Sequence, residues 1–209
     1  MSHATKKRDL LVLTADGQMQ AAVAGILSRH RALRLRPFTF DIHRHPDHDS
    51  GCLVDGIEFV KPFTATHRHA LIVFDREGCG RETRSALELE QSMEVKLAAV
   101  GWTDRARVLA LDPELEIWVW SDSPHVDAAI GGPPKPALRD WLREAGFLRA
   151  GQVKPDRPKE ALDAALRRAR KARSAELFRV LAEKVSFARC TDRAFLKLKT
   201  LLQDWFSEE

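Results

Sequence analysis

Two carboxylates, Asp75 and Glu77, directly follow the apolar run ALIVF at positions 70–74. A run of this length, rich in β-branched and aromatic residues, predicts a strand buried on both faces of a parallel sheet. Such sheets carry their chemistry at the carboxyl ends of the strands. Side chains two positions apart in extended chain point the same way, and converging carboxylate oxygens suit a hard cation such as Mg²⁺. The plainer alternative is that Asp75 caps the next helix and Glu77 is solvated.

Two other predicted strands also run into acidic residues. Residues 10–14 predict a buried strand that is followed by Asp16, and residues 107–111 predict another that leads to Asp112, Glu114 and Glu116. Asp112 before a proline is typical of a helix N-cap and first helical residue. That alternative explains Glu116 less well, because its neighbours are apolar and a buried carboxylate needs a partner or a metal.

The carboxyl ends of parallel strands can converge on one edge of a sheet, where several carboxylates would repel unless a divalent cation neutralised them. Mg²⁺, or Mn²⁺ in its place, can activate water and stabilise the charge of a phosphoryl transition state. We therefore predict Asp16, Asp75 and Glu77 as catalytic residues. The predicted metal ligands are Asp16, Asp75, Glu77, Glu114 and Glu116.

A second ligand-type cluster occupies positions 43–49, where His43, His45 and His48 alternate with Asp47 and Asp49. His43 and His45 would share one face of an extended strand, which permits metal chelation. The spacing is not that of a tight zinc site, and polar turns also collect such residues. A metal role, a substrate-facing loop and an ordinary turn all remain open.

The rest of the pattern predicts an α/β fold with a mostly parallel central sheet flanked by helices. A further strand is predicted over 36–42, and helices over 18–30, 54–63 and 82–100. Beyond the turn sequence GGPPKP at 131–136, helices are predicted over 137–146, 158–172, 174–185 and 191–206. The expected organisation is an α/β domain over 8–130 with a helical C-terminal extension over 137–209 packed on it.

Composition points to a cytoplasmic protein. The three cysteines are far apart and form no CxxC pair, which argues against a zinc knuckle or a disulfide framework and fits a reducing compartment. The N-terminus lacks the apolar segment of a signal peptide, and no apolar run approaches the roughly 20 residues that span a bilayer. A membrane partner is not expected.

Basic residues are concentrated late in the chain, although the net charge of +4 is mild. The run RRARKAR at 167–173 carries five cations in seven residues, which would suit a DNA or RNA backbone. A solvated helix face is the alternative. The predicted nucleic-acid-binding residues are Lys154, Lys159, Arg167, Arg168, Arg170 and Lys171.

These motifs together resemble the TOPRIM-related families that are common in bacterial defence islands. The resemblance covers roughly residues 8–122, and the fuller set DREGCG, GWTDRARV, DPELEIWVW and KPDRPKEAL is similar to a small component of the methylation-associated phage-defence system. It implies a TOPRIM-like fold, Mg²⁺-dependent cleavage of nucleic acid and other defence-system proteins as partners. Asp16 takes the place of the family's glutamate, and Asp75 and Glu77 that of Asp-x-Asp. Glu114 and Glu116 match a Glu-x-Glu of the closer relatives.

Both departures from the family's acids matter. Asp16 is one methylene shorter than glutamate, so its acid/base geometry could be lost, and glutamate at position 77 moves a metal ligand. One hypothesis is therefore a metal-dependent nuclease of an anti-phage defence system. The other is a non-catalytic TOPRIM-like scaffold or recognition subunit, whose tryptophan-rich segment at 118–120 could face a partner. A response-regulator-like receiver is disfavoured because no Asp-Asp pair follows the first strand.

Overall fold

The chain folds around a four-stranded, all-parallel sheet in the computed structural model, which describes residues 7–133, 135–188 and 190–208. The strands are β1 (Arg8–Thr14), β2 (Phe40–Arg44), β3 (His67–Asp75) and β4 (Ala106–Leu111), in the spatial order β2-β1-β3-β4. The central strands β1 and β3 pair with Leu13 opposite Ile72. Both are nearly continuous apolar runs because helices cover both faces of the sheet. The predicted α/β class with a parallel sheet is confirmed.

Nine α-helices accompany the sheet in the described part of the chain. They are α1 (Gly17–Leu27), α2 (His48–Val54), α3 (Gly56–Val60), α4 (Ala86–Leu97), α5 (Pro124–Ile130), α6 (Leu138–Glu144), α7 (Pro158–Ala169), α8 (Ala175–Lys184) and α9 (Arg193–Phe206). Short 3₁₀ turns lie at His30–Leu33, Lys61–Ala65 and Leu115–Trp118. Within the described residues, none of the helices combines the length and the apolar character needed to cross a bilayer.

Helix starts follow ordinary capping chemistry. Asp16 caps α1 by accepting hydrogen bonds from the amides of Gln18 and Met19. Ser85 and Glu88 form a reciprocal capping box at the start of α4, which satisfies two amides that a helix N-terminus otherwise leaves free. These caps fix where the chain leaves each strand and enters the next helix.

The helices that follow residue 137 pack back onto the sheet layer. Helix α8 crosses α1 so closely that a Cβ added at Gly25 would lie 2.8 Å from the Cβ of Ala182. Arg29 ties the two elements together by donating to the carbonyls of Ala182 and Val185. A single apolar core therefore runs from the sheet into the C-terminal helices.

The outer edge of β4 is closed by side chains instead of a fifth strand. The amide of Ala110 donates to Oε1 of Glu90 at 2.9 Å, and its carbonyl accepts from Arg193 at 2.8 Å. Likewise, the amide of Val108 donates to Oε1 of Glu94 at 3.0 Å, and its carbonyl accepts from Lys197 at 2.9 Å. Charged groups from α4 and α9 thus satisfy the backbone that an edge strand leaves unpaired.

Three predicted elements differ from the structure. The strand predicted over 36–42 forms at 40–44, because Pro37 has no amide hydrogen and the amide of Arg36 bonds to Phe206 instead. The single helix predicted over 54–63 is divided into α2, α3 and a 3₁₀ turn that contains Pro62. The alternative prediction of a helix N-cap at Asp112 is wrong, because the Asp112 carboxylate pairs with Arg76 at 2.8 Å.

Candidate functional site

One carboxylate of the candidate site comes from the segment after each of the four strands. Asp16 follows β1, Asp49 follows β2 on the first turn of α2, Asp75 is the last residue of β3, and Glu114 follows β4. All four strands run in the same direction, so these segments lie on the same edge of the sheet. We refer to Asp16, Asp49, Asp75 and Glu114 as the acidic edge.

Asp75 is the centre of the acidic edge. Its backbone amide donates to Oδ1 of Asp49 at 2.7 Å, and its own Oδ1 accepts from the amide of Leu115 at 2.8 Å. Burial raises the pKa of Asp75 well above its usual value, and the charges of Asp49, Glu114 and Asp16 raise it further. A desolvated carboxylate among like charges favours either a proton or a cation.

Asp49 belongs to the acidic edge although it was not predicted as a site residue. Burial raises the pKa of Asp49, and the charge of Asp16 contributes in the same direction. The strand-end rule that identified the other acids would have identified Asp49 had β2 been placed at 40–44. The sequence pattern instead groups Asp49 with Asp47 and the three histidines of positions 43–49, a cluster for which a metal role is one of the open alternatives.

Two histidines of that segment, His43 and His45, pack against aromatic side chains, whereas His48 is exposed. His43 lies against the ring of Phe63, with 5.5 Å between the centroids. His45 is buried, packs against Phe59 and accepts a hydrogen bond from the amide of Asp47 through Nδ1. The loop therefore contributes its aspartate to the acidic edge and uses two of its imidazoles to cover the sheet.

Glu77 and Glu116, both predicted metal ligands, have different surroundings. Glu77 is exposed in the turn after β3. Burial is the main cause that raises the pKa of Glu114, and the charge of Glu77 contributes in the same direction. The carboxylate beside the Asp75 amide is that of Asp49. Glu116 is buried in an ion pair with Arg173, so the partner that its burial requires is a guanidinium and not a metal.

Two cations border the acidic edge. Lys159 donates its amide to Glu114 at 2.9 Å and holds its ammonium 3.8 Å from the same carboxylate. Burial raises the pKa of Glu114.

Arg173, the second cation, also binds Asp163 at 3.0 Å and Gln18 at 2.8 Å. Its charge is thus shared between the ion pair with Glu116 and the acids around Asp75.

The acidic edge fits a hard cation in the chemistry of its donors. In Asp16, Asp49 and Asp75, Oδ1 accepts from a backbone amide, and Oδ2 accepts no hydrogen bond from the described residues. Three aspartate oxygens are thus free for a cation that prefers oxygen ligands. These oxygens are not already positioned around a common point. Within the described residues, no group of three or more His, Cys, Asp or Glu side chains is arranged to hold a metal ion.

The basic run at 167–173 is partly used inside the protein. Lys171 donates to the carbonyl of Ala129 at 2.9 Å, and Arg168 donates to that of Pro136 at 2.6 Å. Arg167 and Arg170 are exposed, and neither side chain has a hydrogen bond or ion pair within the described part of the chain. Lys154 also has no such partner there, so Lys154, Arg167, Arg170 and the exposed Lys159 are the predicted nucleic-acid-binding cations that remain open to an anionic partner.

Comparison with known proteins gives no relative from which a function could be transferred. No protein-family model matches the chain, and no curated protein or solved structure matches it. The acidic edge is therefore the feature of the molecule that bears on its function.

Proposed function

We propose that this protein is a divalent-cation-dependent phosphodiesterase with a TOPRIM-like site, which cleaves DNA or RNA as one component of a bacterial anti-phage defence system. The observation that carries the proposal is the acidic edge, in which each of four parallel strands contributes one carboxylate. Like charges gathered in a partly desolvated position weaken a fold, and such a cluster is retained most readily where it binds a cation.

The three aspartates of the acidic edge and three exposed cations have parts in the proposed chemistry. Asp16, Asp49 and Asp75 would hold Mg²⁺ or Mn²⁺ through their Oδ2 atoms. When bound, the cation would supply an activated water and charge stabilisation for phosphoryl transfer. Lys159, whose side chain is 55% exposed beside Glu114, would bind the phosphate, and Arg167 and Arg170 would contact the neighbouring backbone.

The TOPRIM-like assignment and the role in defence rest on the sequence motifs described above. We propose a cytoplasmic protein on the basis of its cysteine usage and composition, with nucleic acid as substrate and other defence-system proteins as partners. The proposed ligand set differs from the predicted one because Asp49 replaces Glu77 in it. The second acid beside Asp75 therefore comes from the segment after β2.

Mn²⁺ calorimetry together with plasmid nicking tests the proposal. We compare the wild type with Asp75→Asn and Asp49→Asn, because asparagine keeps the oxygen that accepts the backbone hydrogen bond and removes the charge. The matched control is Asp47→Asn, an exposed aspartate two residues from Asp49. We expect Mn²⁺ binding and nicking in the wild type and the control, and about tenfold or greater loss of affinity in the two site variants. Equal binding by all four proteins contradicts the ligand assignment.

A non-catalytic scaffold or recognition subunit is the second candidate function. It is favoured by the structural use of these carboxylates: Asp16 caps α1, Asp49 holds the Asp75 amide, and Asp75 holds the Leu115 amide. A scaffold would bind no Mn²⁺ and would co-purify with proteins encoded by neighbouring genes. Robust nicking by the isolated monomer excludes it.

A further inference from the structure

A second concave region lies between α1, α8 and the segment that follows β4. It is a cavity of about 320 Å³ with mainly apolar walls, to which Ile26, Leu115, Trp118, Phe178 and Phe187 contribute. Pockets of roughly 300–1,000 Å³ with apolar walls and a few polar groups are the usual binding sites for small molecules. The proposed phosphodiester chemistry makes no use of this cavity.

The charged groups that line the cavity differ in how they are satisfied. Asp122 is offset by Arg139, with 3.8 Å between the charged atoms. Lys154 has neither an ion-pair nor a hydrogen-bond partner within the described ranges. Its ammonium lies near enough to Cys190, another lining residue, to oppose the rise in thiol pKa that burial causes. Lys154 is thus the charged lining residue without a direct ion-pair partner in the described ranges, and the carboxylate of Asp192 also acts on Cys190.

A neutral polar group in the wall is also unsatisfied. Ser121 lines the cavity, and its Oγ is one of two buried side-chain polar atoms that lack a hydrogen-bond partner in the described part of the protein. Buried hydroxyls are normally paired, and leaving one unpaired costs free energy. Because this oxygen has almost no accessible surface, an occupant of the cavity cannot reach it, and the hydroxyl takes no part in binding.

We propose that this cavity binds a small amphipathic monocarboxylate, with its aliphatic chain among the apolar side chains and its carboxylate at Lys154. One unpaired cation beside an apolar interior matches one anionic group attached to an apolar body. The assignment is independent of whether the acidic edge binds a metal.

Calorimetry with decanoate and its neutral counterpart decanol tests this proposal on the full chain. The variants are Lys154→Gln and, as the matched control, Lys96→Gln, an exposed lysine of α4 outside the cavity. We expect decanoate to bind the wild type and the control about tenfold more tightly than Lys154→Gln, as for loss of a charge-assisted hydrogen bond. Decanol should bind more weakly and should not distinguish the three proteins.

Alkylation of Cys190 supplies a second measurement that needs no variant. Cys52 and Cys79 are buried, whereas Cys190 is half-buried in the cavity wall. Decanoate should slow the reaction of Cys190 with iodoacetamide severalfold, as read by peptide mass spectrometry, and decanol at the same concentration should slow it less. The proposal is overturned if decanoate does not bind, if Lys154→Gln binds it as tightly as the wild type, or if Cys190 reacts equally fast with and without it.

Discussion

Asp75 carries the largest electrostatic cost of the acidic edge, and this cost has a predictable dependence on pH. Its pKa is raised in the folded protein by burial and by three neighbouring acids. A raised carboxyl pKa means that the folded state holds its proton more tightly than the unfolded state. The free energy of unfolding therefore decreases as the pH rises from about 4, the unfolded pKa, through the folded pKa.

Asp75→Asn should remove this penalty. Because asparagine stays neutral and still accepts from Leu115, we expect the variant to be more stable than the wild type by about 1–3 kcal/mol at pH 8 in the presence of EDTA. The difference should vanish below about pH 4, where both forms are neutral. Urea denaturation across this range is the measurement. Asp204→Asn, an exposed aspartate on α9, is the control, and a destabilised Asp75→Asn at pH 8 would contradict the argument.

The ion pair between Glu116 and Arg173 is the other residue-scale feature with a testable energy. Glu116 is 2% exposed, so removing its partner leaves a buried charge without compensation. We expect Arg173→Gln to lower the free energy of unfolding by about 3 kcal/mol. The double variant Glu116→Gln/Arg173→Gln should recover most of this loss. Additive losses in the double-mutant cycle would show that the pair is not coupled.

Individual site residues were predictable from the sequence only where local pattern was sufficient. Asp16, Asp75 and Glu114 follow strands whose apolar runs are unmistakable, so the strand-end rule finds them. Asp49 follows a strand that is only half-buried. The weak alternation of apolar and polar residues predicts this strand over 36–42, whereas it forms at 40–44. The role of Arg173 depends on the approach of the α7–α8 connection to residue 116, which no local pattern encodes.

At the scale of elements, the closed edge of β4 is held by a buried carboxylate. Glu90 is fully buried, accepts from the Ala110 amide, and pairs with Arg193 and Lys197. We expect Glu90→Ala to cost about 3 kcal/mol of unfolding free energy, because it leaves the amide of Ala110 without its acceptor and removes the carboxylate that Arg193 and Lys197 share. Denaturant titration should show a smaller loss for Glu90→Gln and almost none for Gln91→Ala on the exposed face of α4. Equal stability of Glu90→Ala and the wild type would refute the structural role of this network.

The sequence predicts the helices that carry this network, but it does not predict the contacts of Glu90. The helical spacing of apolar residues and the Pro and Gly boundaries predicted α4 and the four helices after residue 137 to within a few residues. Glu90 lies within the predicted helix of 82–100 on the face of Ala86 and Met93, so its spacing indicates a buried position but says nothing of its partners. Its partners Arg193 and Lys197 come from α9, so the closure of the sheet edge appears only when distant elements meet.

At the scale of the whole molecule, Leu115 connects the acidic edge with the apolar cavity. Its backbone amide donates to Oδ1 of Asp75 at 2.8 Å, while the residue also lines the cavity. An occupant that packs against Leu115 would restrict the 3₁₀ turn at Leu115–Trp118 and thereby fix the hydrogen bond that orients Asp75. Two ligands that stabilise one arrangement of a shared element bind cooperatively, and the effect is reciprocal.

Cation binding and carboxylate binding should therefore strengthen each other. With decanoate at saturation, we expect calorimetry to show Mn²⁺ affinity about fivefold higher than without it, the lower end of common coupling energies. Saturating Mn²⁺ should raise the affinity for decanoate by the same factor. Lys154→Gln should bind Mn²⁺ like the wild type but lose the enhancement at the same decanoate concentration. If both ligands bind and neither changes the affinity for the other, the turn at Leu115–Trp118 does not couple the two sites.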